Sequence, residues 1–363
     1  MPNGIASRIV ALCLASAMAA TAPAQACTNI MLTAADGTPV YARTMEYALE
    51  VKPDVVVIPR HFDYVGVRPA NMQGIKWTSR YAVVGVMSFG EPYVADGMNE
   101  KGLAGGALYF PGFAGYAPTQ GADPQKSLAP WEFLTWALTN FATVEEVKAA
   151  LDKVAIIDLQ TPIVNFTLPF HFAIHDATGA SIVIEPIDGK LKVYDNPLGV
   201  LTNSPTFDWH LNNVRNYVKL SPVDAAPLKI AGQTFAQFGE GSGLLGVPGD
   251  PTPPSRFIRA LGYVASAKPV ADGPQTVRLA EHLMNNFDIP VGFIRADAKG
   301  DGLEYTQWTT IADLRARKYY IKSYQDEVLR SIDLTSFDLD AKTLYLAPFK
   351  ANPTPPALQF SHP

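Results

Sequence analysis

The sequence predicts an α+β fold, and three observations carry that reading. Strand-like segments recur near both ends, Thr28 to Leu32 and Val40 to Met45 about a turn at the first, then Tyr305 to Ala312, Lys318 to Ser323 and Val328 to Ile332 in alternation at the second. Helical spacing lies between them. No internal repeat or low-complexity linker divides the chain, so strands and helices must share one layered core. With 363 residues, 48% apolar and 17% charged, the chain is long enough for a large globular domain and too apolar for a disordered one.

The first 26 residues stand apart. Arg8 is a lone positive charge, Ile9 to Ala20 is an apolar run of about a dozen residues, and Ala24-x-Ala26 is a small-residue pattern that a signal peptidase accepts. That run is shorter than the roughly 20 residues a bilayer span needs, and no later stretch approaches it, so no transmembrane segment is expected. Cutting after Ala26 leaves 337 residues as a single domain, 27–363, exported to a periplasm or secreted. The net charge of −5 becomes −6 without Arg8, and no basic block exists, which argues against a nucleic-acid partner.

Cysteine count sharpens the picture. Of the two cysteines, Cys13 lies in the apolar leader, so the exported chain keeps Cys27 alone and can form no internal disulfide. An unpaired thiol in an oxidising compartment is exposed to the oxidation ladder, so its retention points to chemistry. Placed first in the mature chain, Cys27 carries a thiol and a free α-amine on one residue, a nucleophile with its own base. Two other readings stand beside this one. A cysteine directly after a signal can be lipid-modified, making the chain an exported, anchored lipoprotein without catalysis, although Ala24 stands where such signals usually have leucine. It can also be a small buried side chain.

Taken in order, Thr28 to Leu32 and Val40 to Met45 flank an Asp36-Gly37 turn, a hairpin that folds Arg43 and Glu46 back beside residue 27. A cation there favours thiolate over a thiol whose ordinary pKa is about 8.5, and Glu46 can accept from an α-ammonium. An ordinary cross-strand ion pair explains the same residues.

Cys27-Thr28, with Arg43 sixteen positions on and Met45-Glu46 after it, resembles the opening of the choloylglycine hydrolase and penicillin V acylase family of N-terminal nucleophile hydrolases. That family usually has aspartate where this chain has Glu46. Farther on, Val55 to Pro59 and Tyr81 to Met87 read as strands, and Ala95 to Leu103 as a turn-rich loop whose Asn-Glu-Lys-Gly-Leu run is similar to a family hallmark. The loop feeds a strand over Gly105 to Phe110. The resemblance gives Tyr109 a backbone N–H that helps hold an oxyanion; bile-salt enzymes typically have asparagine there and Gram-positive penicillin V acylases tyrosine. By itself Tyr109 is a strand aromatic.

Gly112 to Pro124, with Phe110, Phe113 and Tyr116 interleaved, suggests a mobile loop beside an apolar pocket. Helices are expected over Trp131 to Phe141 and, from a Thr143 capping box, over Val144 to Lys153. Phe170 to His175, Ser181 to Glu185 and Lys190 to Tyr194 form a meander. His171 and His175 share a strand face, but without a third ligand nearby they read as packing residues rather than a metal site.

The run Val200 to His210 matches the family closely, and the resemblance makes Asn203 the side-chain donor of the oxyanion hole; read locally, Asn203-Ser204-Pro205 is a turn. Gly241-Ser242-Gly243-Leu244-Leu245-Gly246 has the dinucleotide-loop spacing, but the prolines from Pro248 deny it a helix, and Glu240 spoils a nucleophile elbow at Ser242. Next, Ser255 is expected to cap a helix with Arg256 in its first turn, where a cation opposes the dipole. A salt bridge would account for it, whereas the resemblance implies a second active-site arginine. Val277 to Phe287 is a further amphipathic helix, Asp297 to Glu304 lacks calcium-loop spacing, and the proline-rich tail from Pro353 is expected to be loosely held.

The resemblance covers essentially the whole mature chain. It implies a four-layer αββα sandwich, hydrolysis of a linear amide through a thioester on Cys27, and no metal or organic cofactor. In that scheme the Cys27 amine is the base, Asn203 and Tyr109 hold the oxyanion, Arg43 and Arg256 tune the thiolate and the substrate's polar end, and Glu46 orients the amine. The substrate expected first is a conjugated bile acid, with penicillin V or another N-acyl amide, such as an acyl-homoserine lactone, as the alternative. Many members are homotetramers.

Overall fold

Two strands hold residue 27 in place. The Asp36-Gly37 turn forms as expected, with Gly37 at φ +83° and the Thr38 N–H on Asp36 Oδ1 at 2.8 Å, and it registers Cys27 opposite Met45. The computed structural model describes residues 26–51, 53–69, 72–87, 91–161, 166–295, 302–352, 354 and 356–361. The expected signal segment before Ala26, residues 297–301 of the acidic loop and parts of the tail from Pro353 lie outside the described residues.

Along the chain the main strands are β1 (Cys27–Thr33), β2 (Pro39–Tyr47), β3 (Asp54–Ile58), β4 (Val83–Met87), β5 (Val94–Asn99), β6 (Ala104–Tyr109), β7 (Phe170–His175), β8 (Ser181–Ile187), β9 (Lys190–Asp195), β10 (Val200–Leu201), β11 (Leu303–Asp313), β12 (Lys318–Ser323), β13 (Asp326–Asp333) and β14 (Tyr345–Pro348). The α-helices are α1 (Phe133–Asn140), α2 (Val144–Lys148), α3 (Phe207–Asn213), α4 (Pro253–Ser266) and α5 (Gly273–Met284). One antiparallel sheet runs β10-β1-β2-β11-β12-β13, and a second runs β9-β8-β7-β6-β5-β4-β3-β14.

Three apolar layers stack these parts. Phe257, Ile258, Val277 and Met284 of α4 and α5 pack on Ile30, Val40 and Ile311 of the first sheet. Tyr41, Trp308 and Tyr319 meet Val57, Val84 and Met98 between the sheets. Phe133, Leu134 and Leu138 of α1 close over Val83, Phe172 and Ile184 on the far side. Helix, sheet, sheet, helix is the four-layer αββα sandwich. No helix among the described residues is long and apolar enough to cross a membrane.

Several expectations need correction. Residues 94–99 form β5 rather than a loop, because Val94, Asp96 and Met98 are all buried between or beside the sheets; only the turn at 100–102 remains. The helix expected over Val144 to Lys153 breaks after Lys148 into a 3-10 turn at Leu151–Lys153. Ser255 does not cap α4. Pro253 and Pro254 take its first positions, Thr252 is the N-cap, and Ser255 instead bonds Asp250. The hairpin Asp63–Val67 and Gln73–Thr78 carries no turn signal strong enough to have been read, and its strands touch the core on one face only.

Phe172 is fully buried, its ring 4.6 Å from that of Phe133. Phe172→Ala is expected to cost about 3–5 kcal/mol in urea unfolding; an unchanged midpoint would contradict the packing of α1 on the second sheet.

Candidate active site

Residue 27 opens the first strand between two buried arginines. Arg43 lies on the face of β2 that meets the second sheet, and its Nη2 is 3.3 Å from Cys27 Sγ and 3.1 Å from Met45 Sδ. Its Nη1 donates to the carbonyls of Ala95 and Ala107 at 3.1 and 3.0 Å. Pairing of β5 with β6 stops at Asp96 opposite Gly106, so Arg43 satisfies the two carbonyls where these strands begin to separate. Gly106 makes room, because a Cβ there would stand 2.7 Å from Tyr41 Oη and 3.1 Å from Arg43 Nη1.

Arg256 approaches from the helix layer. Its Nη1 bonds the Cys27 carbonyl and, at 3.0 Å, Thr28 Oγ1; Nη2 donates to Asn203 Oδ1 at 2.6 Å, and Nε to the Pro251 carbonyl. Asn203 therefore joins three parts of the site. Its Oδ1 also accepts the Cys27 backbone N–H at 2.7 Å, and its Nδ2 donates to the Tyr109 carbonyl at 2.8 Å, leaving that amide a second hydrogen. The Tyr109 N–H makes no such contact with Asn203. Because the Phe110 N–H bonds Pro169, strand alternation turns the Tyr109 N–H toward the opposite edge, where the strands part.

The structure thus brings Cys27, Arg43, Tyr109, Asn203 and Arg256 together. Glu46 is adjacent but arranged otherwise than expected. With Ala26 still attached, Glu46 offers its backbone N–H to the Ala26 carbonyl at 3.0 Å, while its Oε1 accepts from Thr306 Oγ1 at 2.8 Å. The nitrogen of residue 27 is held by Asn203, not by Glu46. Burial pushes the Glu46 carboxyl up to about 8, against the pull of Arg256. Burial also pushes the Cys27 thiol up; Arg43 is the strongest opposing influence, Glu46 adds to the rise and Arg256 lowers it. The expected effect of a nearby cation is present, but desolvation outweighs it while the thiol is covered.

Cys27 borders a cavity of about 360 Å³ with walls of Met45, Tyr47, Val65, Tyr93, Tyr109, Trp131, Leu134, Leu168 and Phe170. An apolar group fits this space with its polar end at the sulfur. The pocket border expected from Gly112 to Pro124 is not there. Phe110 instead stacks on His171 at 4.3 Å, and the Tyr116 hydroxyl is tied to the 168–170 backbone.

Sequence reasoning missed the supports of this site. Asp96 is fully buried and accepts from Thr310 Oγ1 at 2.8 Å, Trp308 Nε1 at 3.4 Å and the Tyr319 hydroxyl, with Arg43 Nη1 3.7 Å away. A carboxylate inside an apolar strand was the available signal. His171 and His175 are both buried, and their rings meet carbonyl, carboxyl and amide oxygens. His171 lies 2.8 Å from the Thr202 carbonyl and 3.4 Å from Glu185, and His175 lies 3.0 Å from Asn29 Oδ1, with burial holding His175 near 3. His210 completes the clasp at 2.9 Å from the Asn203 carbonyl.

Comparison with known proteins bears on this geometry. The model of the linear amide C-N hydrolases, choloylglycine hydrolase family, matches residues 27–346. The chain belongs to that family. It is 36% identical over 324 residues to a bile salt hydrolase/transferase of Clostridium perfringens, covering 88% of this chain and 95% of that protein. A crystal structure of a mutant conjugated bile acid hydrolase from Clostridium perfringens aligns with TM-score 0.79 and 34% identity over 90% of this chain and 98% of the other. A penicillin V acylase from Agrobacterium tumefaciens aligns with TM-score 0.72 and 26% identity over 89% and 92%. The protein is an amidohydrolase acting on linear amides, and its sandwich is of the N-terminal nucleophile hydrolase type.

Arg43 favours the Cys27 thiolate, so its removal must raise the pH at which the sulfur reacts. For Arg43→Gln the midpoint of iodoacetamide labelling against pH is expected to rise by about one unit, equivalent to roughly 1.4 kcal/mol. A midpoint at or below that of the parent would show that Arg43 does not act on the sulfur.

Proposed function

We propose that this chain, cut after Ala26, hydrolyses conjugated bile acids with Cys27 as an N-terminal nucleophile. The observation that carries the reading is the convergence of Arg43, Asn203 and Arg256 on a lone cysteine at the floor of an apolar cavity. The α-amine, ordinarily near 7.7 to 8.0, takes the thiol proton, and the sulfur attacks the amide carbonyl. The second Nδ2 hydrogen of Asn203 and the Tyr109 N–H receive the developing oxyanion. Collapse of the tetrahedral intermediate protonates and expels the amine, glycine or taurine, and leaves an acyl thioester. Water activated by the same α-amine then releases the bile acid. The steroid fills the apolar cavity, and Arg256 and Arg43 hold the cysteine backbone and sulfur. No metal or organic cofactor has a part in these steps.

Penicillin V is the second reading. Tyr109 favours it, together with the likeness to the Agrobacterium tumefaciens enzyme, and a phenoxyacetyl group also suits an apolar space. Acyl-homoserine lactones present the same linear amide. The Ala24-x-Ala26 pattern supports export to the periplasm or beyond. The protein is further proposed to be a homotetramer. A projecting hairpin, Leu228–Ile230 with Gln233–Phe235, exposes Leu228, Ile230, Phe235 and Phe238, an apolar edge suited to self-association.

Glycocholate, taurocholate, penicillin V and an acyl-homoserine lactone assayed in parallel test the substrate. Glycocholate and taurocholate are expected to be cleaved fastest, with Cys27→Ser at least about 1000-fold slower; preference for penicillin V would transfer the assignment to the second reading. N-terminal sequencing is expected to begin at Cys27, and an acyl adduct on its amine in the intact mass would instead make the chain an anchored lipoprotein. Light scattering is expected to give four protomers in the parent and fewer in a Phe235→Asp, Phe238→Asp double variant. A parent that runs as a monomer rejects the assembly.

A further inference from the structure

Glu304 has no part in the steps above, yet it lies beside the point where the chain is to be cut. It is the second residue of β11, next to β2 in the first sheet, and is 2% exposed. Two residues on, and so on the same face, Thr306 bonds Glu46 Oε1 at 2.8 Å. Glu304 and Glu46 therefore both face the layer from which Arg256 enters. Ala26 lies between them, its N–H near enough to the Glu304 carboxyl to oppose the upward push of burial, and its carbonyl on the Glu46 N–H at 3.0 Å.

Both carboxylates are short of partners. Among the described residues, Glu304 Oε1 and Glu46 Oε2 are buried without a well-formed hydrogen bond, although the Thr44 hydroxyl, itself unpartnered, is near enough to lower the Glu46 carboxyl. Arg256 is the main compensating charge for both, but its nitrogens are engaged by Pro251, Cys27, Thr28 and Asn203. A buried acidic pair with two idle acceptor oxygens calls for another cation. Cleavage after Ala26 supplies one, removing the Ala26 N–H from Glu304 and leaving an ammonium on Cys27, within about 4 Å along the chain.

We propose that Glu304 is a positioning residue which, with Glu46, receives the α-ammonium of Cys27 and sets the pH at which that amine becomes a base. The inference rests on the proposed unmasking of residue 27. An adjacent carboxylate favours the ammonium and raises the pKa of the amine, so the acid limb of the activity profile lies higher with Glu304 than without it. The amine then loses its proton, accepts the proton of the thiol and keeps its orientation through both carboxylates.

The test uses full-length protein matured in an exporting host, with the best of the four amides as probe. Glu304→Gln is expected to begin at Cys27 like the parent, to lose about tenfold in kcat, and to move the acid limb of kcat/KM down by about one pH unit. Glu304→Asp, which keeps the charge but draws it back, is expected to shift the limb in the same direction by less. A limb that stays in place in both variants, or in the aspartate variant alone should the glutamine one not fold, overturns the proposal. Failure of the underlying reading is scored separately, by a parent that does not begin at Cys27 or by turnover that survives Cys27→Ser.

Discussion

Two guanidinium groups close on residue 27 from opposite faces of one sheet, and much of the architecture exists to make that possible. A buried arginine is tolerable only with its donors matched and its charge compensated. Arg43 meets this condition between the sheets, through Asp96 and two carbonyls exposed where β5 and β6 part. Arg256 meets it in the helix layer, through the Cys27 carbonyl, Thr28 and Asn203. Neither arrangement could form in a two-layer fold, because each requires a wall on its own side of β1 and β2.

The same constraint explains which parts of the site were legible in the sequence. Cys27, Arg43, Asn203 and Arg256 could be read because they sit in short runs with their own turn and strand grammar, and because those runs resemble a known family. Most strands were legible within two residues, since short apolar or alternating runs are bounded by turn residues, even though the central strands are buried on both faces. Asp96 was not, because its meaning lies in β11 and β12, more than 200 residues away, and its neighbours Gly97 to Lys101 look like a turn. His171 reads in the sequence as a packing residue and His210 carries no signal of its own; only the folded chain brings their rings to the Thr202 and Asn203 carbonyls. The cavity wall was misplaced for a similar reason. Aromatic residues near a flexible-looking loop suggested a border, while the actual border is gathered from seven separated segments between residues 27 and 170.

The proposed cut after Ala26 would alter the chemistry of the site with little covalent change. In the uncut chain the nitrogen of residue 27 is an amide, which has no basic lone pair, and its N–H is already given to Asn203. The thiol beside it is buried and pushed up, so sulfur and base are both silent. In the proposed mature form, loss of one peptide bond would turn the amide into an amine and release the carbonyl that occupies the Glu46 N–H. Nothing else in the surrounding hydrogen-bond frame has to move, since Asn203 and Arg256 bind atoms that remain after the cut.

That frame also accounts for a glutamate at position 46. A longer side chain would crowd a site in which the carboxylate alone must meet the amine, but here Thr306 holds Oε1 back against β11, and a second carboxylate stands two residues before it. The extra methylene and Glu304 can be understood together, as acidic charge spread over two strands instead of concentrated in one short side chain. Each carboxylate is costly when buried alone, and burial pushes both upward. A single cation placed between them relieves both costs at once, which is the physical reason to expect the pair to act on the amine as a unit.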